Sequence, residues 1–389
     1  MTTVNLATVH KRPSLLTPMK LLSYLKLLSR MAFLSRKADS DNRRMPYKLA
    51  LSLTNECDCK CKNCHVWETY RVEPGLKQKE LSTAQMTDLF QKNGAHFFWV
   101  ALTGGEPFLR NDLVEIVRSC ILHCPNLLLL SLVTTGVATE QILARLPGIL
   151  ELAPRLKIYV TVSIDGKETV HEKNRRIKGG FARSVQTIEG LDKLSQKHRN
   201  LKVRIETVIS KQNLEGLDDF LQLELVNNHE TCFAFAQESE RYFNQGAGIA
   251  LQDSDAEKIG KTVQQVLKHN QGVSLEKLML RIYYKLSARF FQNPHHQVLP
   301  CYSGFASVFV GPYGEVRPCV MMPVVGNLKD FNFDLRQLMQ SEAMVKSRRT
   351  IIEDRCPNCW TPCEAVQTIG QNFGLALYRS LRIGLKAKN

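Results

Sequence analysis

The sequence lacks several features that would assign it to a common protein class. Its 389 residues include no uncharged apolar run of about 20 residues, which argues against a transmembrane span. No uninterrupted apolar segment precedes a small-residue cleavage site near the N-terminus, so a signal peptide is not indicated. No internal repeat or low-complexity tract occurs. Cationic residues are scattered rather than interleaved with aromatic residues, which argues against nucleic-acid binding.

The nearest candidate for a membrane-associated segment spans residues 14–37. Its apolar residues at helical spacing are Leu21, Leu25, Leu28 and Ala32. Its cations are Lys20, Lys26, Arg30, Arg36 and Lys37. This pattern predicts a basic amphipathic helix. We favour packing of this helix on the protein's own core. The alternative is peripheral contact with the inner membrane surface, to which the basic residues 378–389 would also bind.

Strand-like and helix-like segments alternate from residue 47 onward. The predicted strands are 47–54, 97–103, 127–135, 157–165, 201–210 and 232–237. The predicted helices lie near 82–93, 111–124, 139–151, 180–197 and 214–227, and residues 253–290 are also predicted to be helical. Repeated strand–helix alternation predicts a parallel sheet, either barrel-like or doubly wound. In both architectures, ligands bind at the carboxyl ends of the strands.

Cysteine is concentrated in the loop after the first predicted strand. Residues 55–64 read NECDCKCKNC, in which Cys57, Cys61 and Cys64 form C-x3-C-x2-C and Cys59 lies between them. Because the protein is predicted to be cytoplasmic, this clustering indicates metal or redox chemistry rather than disulfides. Three thiolates on one loop can bind three irons of a cubane cluster and leave the fourth iron open. We interpret Cys59 as a small loop side chain.

A second motif, TGGEP, follows the second predicted strand. Gly104 and Gly105 allow the backbone to approach a ligand closely, and Glu106 provides a carboxylate suited to an ammonium group. Its position directly after a strand places it at the same edge of the sheet as the cysteine loop.

With both motifs in place, residues 47–240 resemble the radical S-adenosylmethionine (radical SAM) superfamily. The resemblance implies an α/β fold, a partial (β/α)6 TIM-like barrel with a small C-terminal cysteine-rich cluster-binding domain. It also implies a [4Fe-4S] cluster on Cys57, Cys61 and Cys64, with SAM on the open iron. By the same resemblance, Gly104, Gly105 and Glu106 would contact the methionine amino group. Asn63 departs from the family, which often has an aromatic residue there.

Two further segments are interpreted by this resemblance. Ser163 and Asp165, at the end of the fourth strand, match the position where family members bind the ribose hydroxyls. Residues 170–176, VHEKNRR, resemble a polar loop in which His171 and Arg175 would line the site. A solvated charged loop is the alternative for these residues.

The C-terminal region contains a second group of cysteines. Its five members are Cys301, Cys319, Cys356, Cys359 and Cys363. The segment GPYGEVRPC predicts a β-hairpin that brings Cys319 near Cys301. The spacing C-x12-G-x4-C with a later trio resembles the SPASM and twitch extensions of radical SAM enzymes. Five cysteines are enough for one auxiliary [4Fe-4S] cluster and one spare thiol, and the spacing leaves open which four bind.

These observations divide the chain into residues 1–44 (basic helix), 45–240 (barrel), 241–297 (helical linker) and 298–389 (auxiliary cluster domain and basic tail). We expect an oxidoreductase or modifying enzyme that cleaves SAM reductively, with an electron donor such as flavodoxin or ferredoxin. Its substrate would be a small molecule or an envelope-associated molecule, with a peptide as the alternative. Two other hypotheses are a zinc-stabilised nucleic-acid-binding protein and a non-catalytic iron–sulfur scaffold.

Overall fold

We describe a computed structural model of the chain, which covers residues 18–34, 44–251, 255–272, 274–294 and 296–386. Its nine strands form one sheet in the order β6-β5-β4-β3-β2-β1-β7-β8-β9. The strands are β1 (Lys48–Ser52), β2 (Trp99–Thr103), β3 (Leu129–Thr134), β4 (Lys157–Ser163), β5 (Leu201–Ile209), β6 (Glu230–Phe235), β7 (Ser307–Val310), β8 (Glu315–Arg317) and β9 (Gly326–Asn327).

The α-helices of the described residues surround this sheet. They are α1 (Pro18–Leu34), α2 (Thr69–Val72), α3 (Thr83–Asn93), α4 (Leu113–His123), α5 (Thr139–Leu152), α6 (Glu168–Arg175), α7 (Gly180–Lys197), α8 (Leu217–Leu221), α9 (Glu224–Asn228), α10 (Ala256–His269), α11 (Leu275–Gln292), α12 (Leu335–Met339), α13 (Glu342–Ile352), α14 (Pro362–Gln371) and α15 (Phe373–Lys386). None of the helices in these ranges is both long and apolar enough to cross a bilayer.

Strands β1 to β6 are parallel, and β7 continues the parallel pairing on the other side of β1. In β3, half-buried Leu129 and Ser131 alternate with buried Leu130 and Leu132, because only one face of the strand is covered by helices. In the part of the chain that the structure describes, no pairing joins the outer strands β6 and β9, so the barrel does not close. The predicted partial (β/α)6 barrel is therefore confirmed.

The edge of the sheet at β6 is covered by α11. The backbone amide of Phe233 donates to the hydroxyl of Tyr284 in α11, 3.0 Å away. This amide lies on the outer edge of the sheet, and the helix provides the hydrogen-bond acceptor that a further strand would otherwise provide. The hydroxyl of Tyr283 donates to the carbonyl of Trp360, 3.1 Å away. Helix α11 thus joins the barrel to the C-terminal cysteine region.

Most predicted elements occur near their predicted positions. The predicted start of α3 is confirmed, since Ser82 and Gln85 form a reciprocal capping box. The predicted helix at 214–227 is instead two short helices, α8 and α9, and the segment 253–290 divides into α10 and α11. The hairpin is confirmed by the antiparallel pairing of β7 and β8. Predicted features at residues 14–17, 35–37 and 387–389 lie outside the described residues.

Candidate metal centres

The cysteine loop begins where β1 ends, and its first part is held against the segment that follows β2. The amide of Gly105 donates to the carbonyl of Thr54 (2.8 Å), and the amide of Glu106 donates to the carbonyl of Glu56 (2.7 Å). A Cβ atom on Gly105 would lie 2.1 Å from the oxygen of Glu56, and one on Gly104 would lie 2.5 Å from the oxygen of Thr54. The two glycines are therefore required for the close approach of the two loops.

The later part of the cysteine loop is held by two other segments. The amides of Lys60 and Lys62 donate to the carbonyls of Arg175 and Asn174, at 3.0 and 2.9 Å. The side-chain amide of Asn244 donates to the carbonyl of Asn63, 2.9 Å away. The loop is thus held by hydrogen bonds on both sides.

The four thiols of the loop differ in exposure. Cys57, Cys61 and Cys64 are half-buried, whereas Cys59 is fully buried. Burial raises the pKa of Cys64 to about 11, although the charges of Arg241 and Arg175 partly oppose this rise. A metal would therefore displace a proton from this thiol on binding. The three half-buried thiols are those of the C-x3-C-x2-C spacing.

The donor set fits an iron–sulfur cluster. Among the described residues, no three His, Cys, Asp or Glu side chains are arranged around a single ion. A cubane binds each cysteine at a different iron, so its ligands need not converge on one point. Three thiols of one loop meet this requirement.

Glu106 lies beneath the loop and is fully buried. Its Oε2 accepts hydrogen bonds from the hydroxyls of Thr134 (2.8 Å) and Thr135 (2.9 Å) and from the amide of Thr135 (2.7 Å). Its Oε1 accepts from the amide of Phe108 at 3.0 Å. Burial raises the pKa of Glu106 to about 7, and the neighbouring charge of Asp58 contributes to the rise. The carboxylate therefore ties the segment after β2 to the end of β3.

Asp165 occupies a similar place after β4, two residues beyond the half-buried Ser163. Its Oδ2 accepts from Asn174 Nδ2 at 2.7 Å and from Arg175 Nε at 2.9 Å, while its buried Oδ1 has no partner among the described residues. Burial alone would raise the pKa of Asp165, but the charges of Arg175 and His171 outweigh it and hold the pKa below its usual value. Oδ1 is therefore available to a ligand.

The prediction of a polar loop at residues 170–176 is wrong. Most of this segment belongs to α6, and His171, Asn174 and Arg175 are buried. His171 Nδ1 accepts from the backbone amide of Asp165 at 3.2 Å. The solvated-loop alternative is also wrong, because the segment uses its polar side chains to hold Asp165.

His171 leads to a prediction about acid stability. Burial, together with the charge of Arg175, lowers the pKa of His171 from 6.5 to about 4. Between these values the unfolded chain binds a proton that the folded chain does not, so the free energy of unfolding falls as the pH decreases, by up to about 3 kcal/mol. The ring of His171 lies 5.8 Å from that of Phe181, centre to centre. Urea titrations of cluster-free protein should show a weaker decrease for His171→Phe, which keeps an aromatic ring in this contact. Equal pH slopes would contradict the prediction.

Four cysteines of the second group line one pocket beside the hairpin. They are Cys301, Cys319, Cys356 and Cys359. The pocket has about 490 Å³ of empty space, part of it open to solvent. Cys363 is not among the lining residues, and its sulfur lies 3.1 Å from Thr361 Oγ1. The structure thus separates four thiols from the fifth, which the sequence spacing could not do.

Two buried cations near the sites were not identified from the sequence. Lys48 Nζ donates to the carbonyl of Cys363 and lies 4.2 Å from the centre of the Trp99 ring. Arg241 Nη2 donates to the hydroxyl of Ser52, 2.7 Å away, at the end of β1. Lys48 could have been recognised as a buried cation because it lies in a predicted strand that is otherwise mostly apolar. Arg241 could not, because it follows β6 in a segment without a recognisable pattern.

Comparisons with known proteins agree with this arrangement. A family model described as a 4Fe-4S single cluster domain matches residues 48–189, and the SPASM model, an iron–sulfur cluster-binding domain, matches residues 301–360. The first range contains the four cysteines of the N-terminal loop, and the second contains Cys301, Cys319, Cys356 and Cys359 but ends before Cys363. These cysteines therefore lie in iron–sulfur cluster domains.

Among the relatives is the antilisterial bacteriocin subtilosin biosynthesis protein AlbA of Bacillus subtilis, 24% identical over 80% of this chain and 65% of its own length. The AdoMet-dependent heme synthase of Oleidesulfovibrio alaskensis is 24% identical over 73% of this chain and 72% of its own length. A solved structure of anSMEcpe with bound AdoMet and a peptide has the same fold, with a TM-score of 0.56 and 16% identity over 88% of this chain and 100% of that one. The chain thus combines a radical SAM-type 4Fe-4S single cluster domain with a C-terminal SPASM iron–sulfur cluster-binding domain, and it is similar to radical SAM enzymes.

Proposed function

We propose that the chain cleaves SAM reductively and uses the resulting radical to remove hydrogen from a substrate C–H bond. Cys57, Cys61 and Cys64 would hold a [4Fe-4S] cluster, which supplies the electron and an open iron for SAM. The observation that carries this proposal is the separation of three half-buried thiols from the buried Cys59 in one loop at the carboxyl end of β1. Backbone hydrogen bonds hold the loop against its neighbouring segments, which supports a fixed placement of the three ligands.

The residues around the loop have separate proposed roles toward SAM. Asp165 Oδ1 is buried and unpaired, which supports contact with the ribose hydroxyls together with Ser163. Arg175 keeps Asp165 ionised and able to accept hydrogen bonds. Gly104 and Gly105 bring Glu106 beneath the cysteine loop, which supports its contact with the methionine amino group.

The direct test measures SAM cleavage. Protein purified without oxygen and reconstituted with iron and sulfide is reduced by dithionite or by a flavodoxin system, and 5′-deoxyadenosine is measured by mass spectrometry. Formation of 5′-deoxyadenosine would support the proposal. Clusters without 5′-deoxyadenosine would indicate a non-catalytic scaffold, and bound zinc without sulfide would favour the nucleic-acid-binding hypothesis.

For the auxiliary cluster we propose Cys301, Cys319, Cys356 and Cys359 as ligands. All four line one pocket, whereas Cys363 lies outside the lining and beside Thr361. This assignment leaves Cys363 as the spare thiol of the five.

Iron content provides the test of this assignment. Cys356→Ser is expected to lose roughly half of the bound iron, because one of two four-iron clusters is no longer fully ligated. The matched Cys363→Ser variant should keep the iron and sulfide content of the unmodified protein. The assignment fails if Cys363→Ser loses iron while Cys356→Ser does not.

A peptide is the second candidate for the substrate class, beside a small or envelope-associated molecule. The relative AlbA is named for bacteriocin biosynthesis, and the structure of anSMEcpe holds a peptide. The heme synthase, by contrast, is named for a small-molecule product. Turnover with deuterated candidates of each class would distinguish them, since only the true substrate transfers deuterium to 5′-deoxyadenosine.

A further inference from the structure

Two helices from opposite ends of the chain carry exposed apolar stripes. In α1, the side chains of Leu22, Leu25 and Leu28 are 53%, 54% and 59% exposed. In α15, the side chains of Tyr378 and Leu381 are 50% and 58% exposed. Residues three or four apart lie side by side on a helix, so each set forms a continuous stripe rather than isolated apolar residues. Each stripe is therefore a candidate docking face.

Only one face of α1 packs on the protein's own core. On that face Leu27 and Met31 pack against a cluster that includes Tyr47 and Phe98. These two aromatic residues directly precede β1 and β2, so α1 lies at the amino ends of the strands. The cysteine loop lies at the opposite, carboxyl ends. The outward face of α1 can therefore be covered without obstructing the cysteine loop.

Helix α15 repeats the same arrangement. Its inner face contains the buried Ala376 and the partly buried Leu377 and Ile383, which pack on the main core. Its outer face presents Tyr378 and Leu381 beside the exposed Arg382, whose guanidinium lies 4.7 Å from the centre of the Tyr378 ring. The cation thus stands at the border of the apolar stripe.

Charge indicates which partner the stripes fit. The sequences of α1 and α15 contain no Asp or Glu, and their exposed faces carry Lys26 and Arg382. Amphipathic helices with cations at the border of an apolar stripe bind in the interface of anionic bilayers, where the apolar side chains enter about 5–10 Å and the cations meet the phosphates. A partner surface that is not anionic would give no reason for both helices to exclude acidic residues.

We propose that α1 and α15 form a peripheral binding surface for an anionic lipid bilayer. The leucines enter the boundary between headgroups and acyl chains, and the lysine and arginine side chains remain at the headgroups. Because α1 lies at the amino ends of the strands, the bound enzyme keeps its cysteine loop on the side away from the contact made by α1. This surface is independent of the iron–sulfur clusters and of SAM.

Flotation of the full-length protein with vesicles tests the proposal. The protein is expected to bind vesicles of equal parts phosphatidylcholine and phosphatidylglycerol and to remain unbound with phosphatidylcholine alone. In 1 M NaCl, where the Debye length is about 3 Å, binding should weaken strongly. The double variant Leu25→Ser/Leu28→Ser should partition at least about tenfold less, because two apolar side chains no longer enter the bilayer.

The matched control is Leu122→Ser on α4, since Leu122 is 71% exposed but lies outside both stripes. It should bind anionic vesicles as the unmodified protein does, and circular dichroism should show that all variants fold. Failure of the unmodified protein to bind anionic vesicles would overturn the proposal, as would equal binding by the double variant. The proposal is also overturned if the unmodified protein is a dimer without lipid and the double variant is a monomer with unchanged vesicle binding. That result would identify the stripe as a contact between two copies of the chain.

Discussion

Replacing Cys57 by alanine is expected to abolish formation of 5′-deoxyadenosine. Cys57 is one of three proposed protein ligands of the cluster. Removing a residue that only hydrogen-bonds to a metal ligand lowers activity by up to roughly 100-fold, so the loss of a ligand itself should lower the rate of 5′-deoxyadenosine formation by more. The fold should persist, because the loop is held by backbone contacts of Gly105, Glu106, Lys60 and Lys62 that do not involve Cys57. The measurement is 5′-deoxyadenosine per enzyme under reducing, oxygen-free conditions.

The control is Cys59→Ala in the same loop. The Cys59 side chain is fully buried, unlike the three half-buried thiols, so its removal should change 5′-deoxyadenosine formation only a few-fold. Both variants should show the same circular dichroism as the unmodified protein. The ligand assignment is rejected if Cys57→Ala still forms 5′-deoxyadenosine normally or if Cys59→Ala alone abolishes it.

The glycines of the TGGEP motif illustrate why two loops can form one site. A residue with a side chain at position 105 would place its Cβ 2.1 Å from the Glu56 oxygen, which is impossible without moving the cysteine loop. Glu106 then hydrogen-bonds to Thr134 and Thr135 at the end of β3. A motif of five residues thus connects the ends of three parallel strands.

The barrel could be predicted from the sequence because its strands are nearly continuous apolar segments separated by regular helical patterns. Each of the six predicted strands lies within two residues of the observed one at either end, as in the predicted 97–103 and the observed Trp99–Thr103. The cysteine spacing and the position of TGGEP after β2 likewise placed both motifs at the carboxyl edge. These signals are local, so a single sequence contains them.

Tertiary contacts explain where the prediction failed. Residues 170–176 are highly charged, and a charged segment is usually exposed, yet His171 and Arg175 are buried because Asp165 provides partners for both. The separation of Cys363 from the other four thiols depends on the packing of α14 against β1, where Lys48 binds the carbonyl of Cys363. Residues 315 positions apart meet there, which no local pattern reveals.

The buried pair of Arg175 and Asp165 leads to the largest predicted loss of stability. Their side chains are only 8% and 0% exposed, and Nε lies 2.9 Å from Oδ2. In Arg175→Met the Asp165 carboxylate would stay buried without its cation, so the free energy of unfolding of the cluster-free protein should fall by about 3–5 kcal/mol at pH 7. Urea titration measures this change.

Two further variants show whether the uncompensated charge is the cause. Lys258→Met removes a cation whose ion pair with Glu215 is 58% and 85% exposed, so it should change the free energy by less than about 1 kcal/mol. Arg175→Met/Asp165→Asn should recover part of the loss, because no buried charge remains. In Arg175→Met, burial without the arginine would raise the pKa of Asp165, so the penalty should shrink as the pH falls through that raised pKa, since protonation removes the unpaired charge. A loss no larger than that of Lys258→Met would show that the pair does not stabilise the fold.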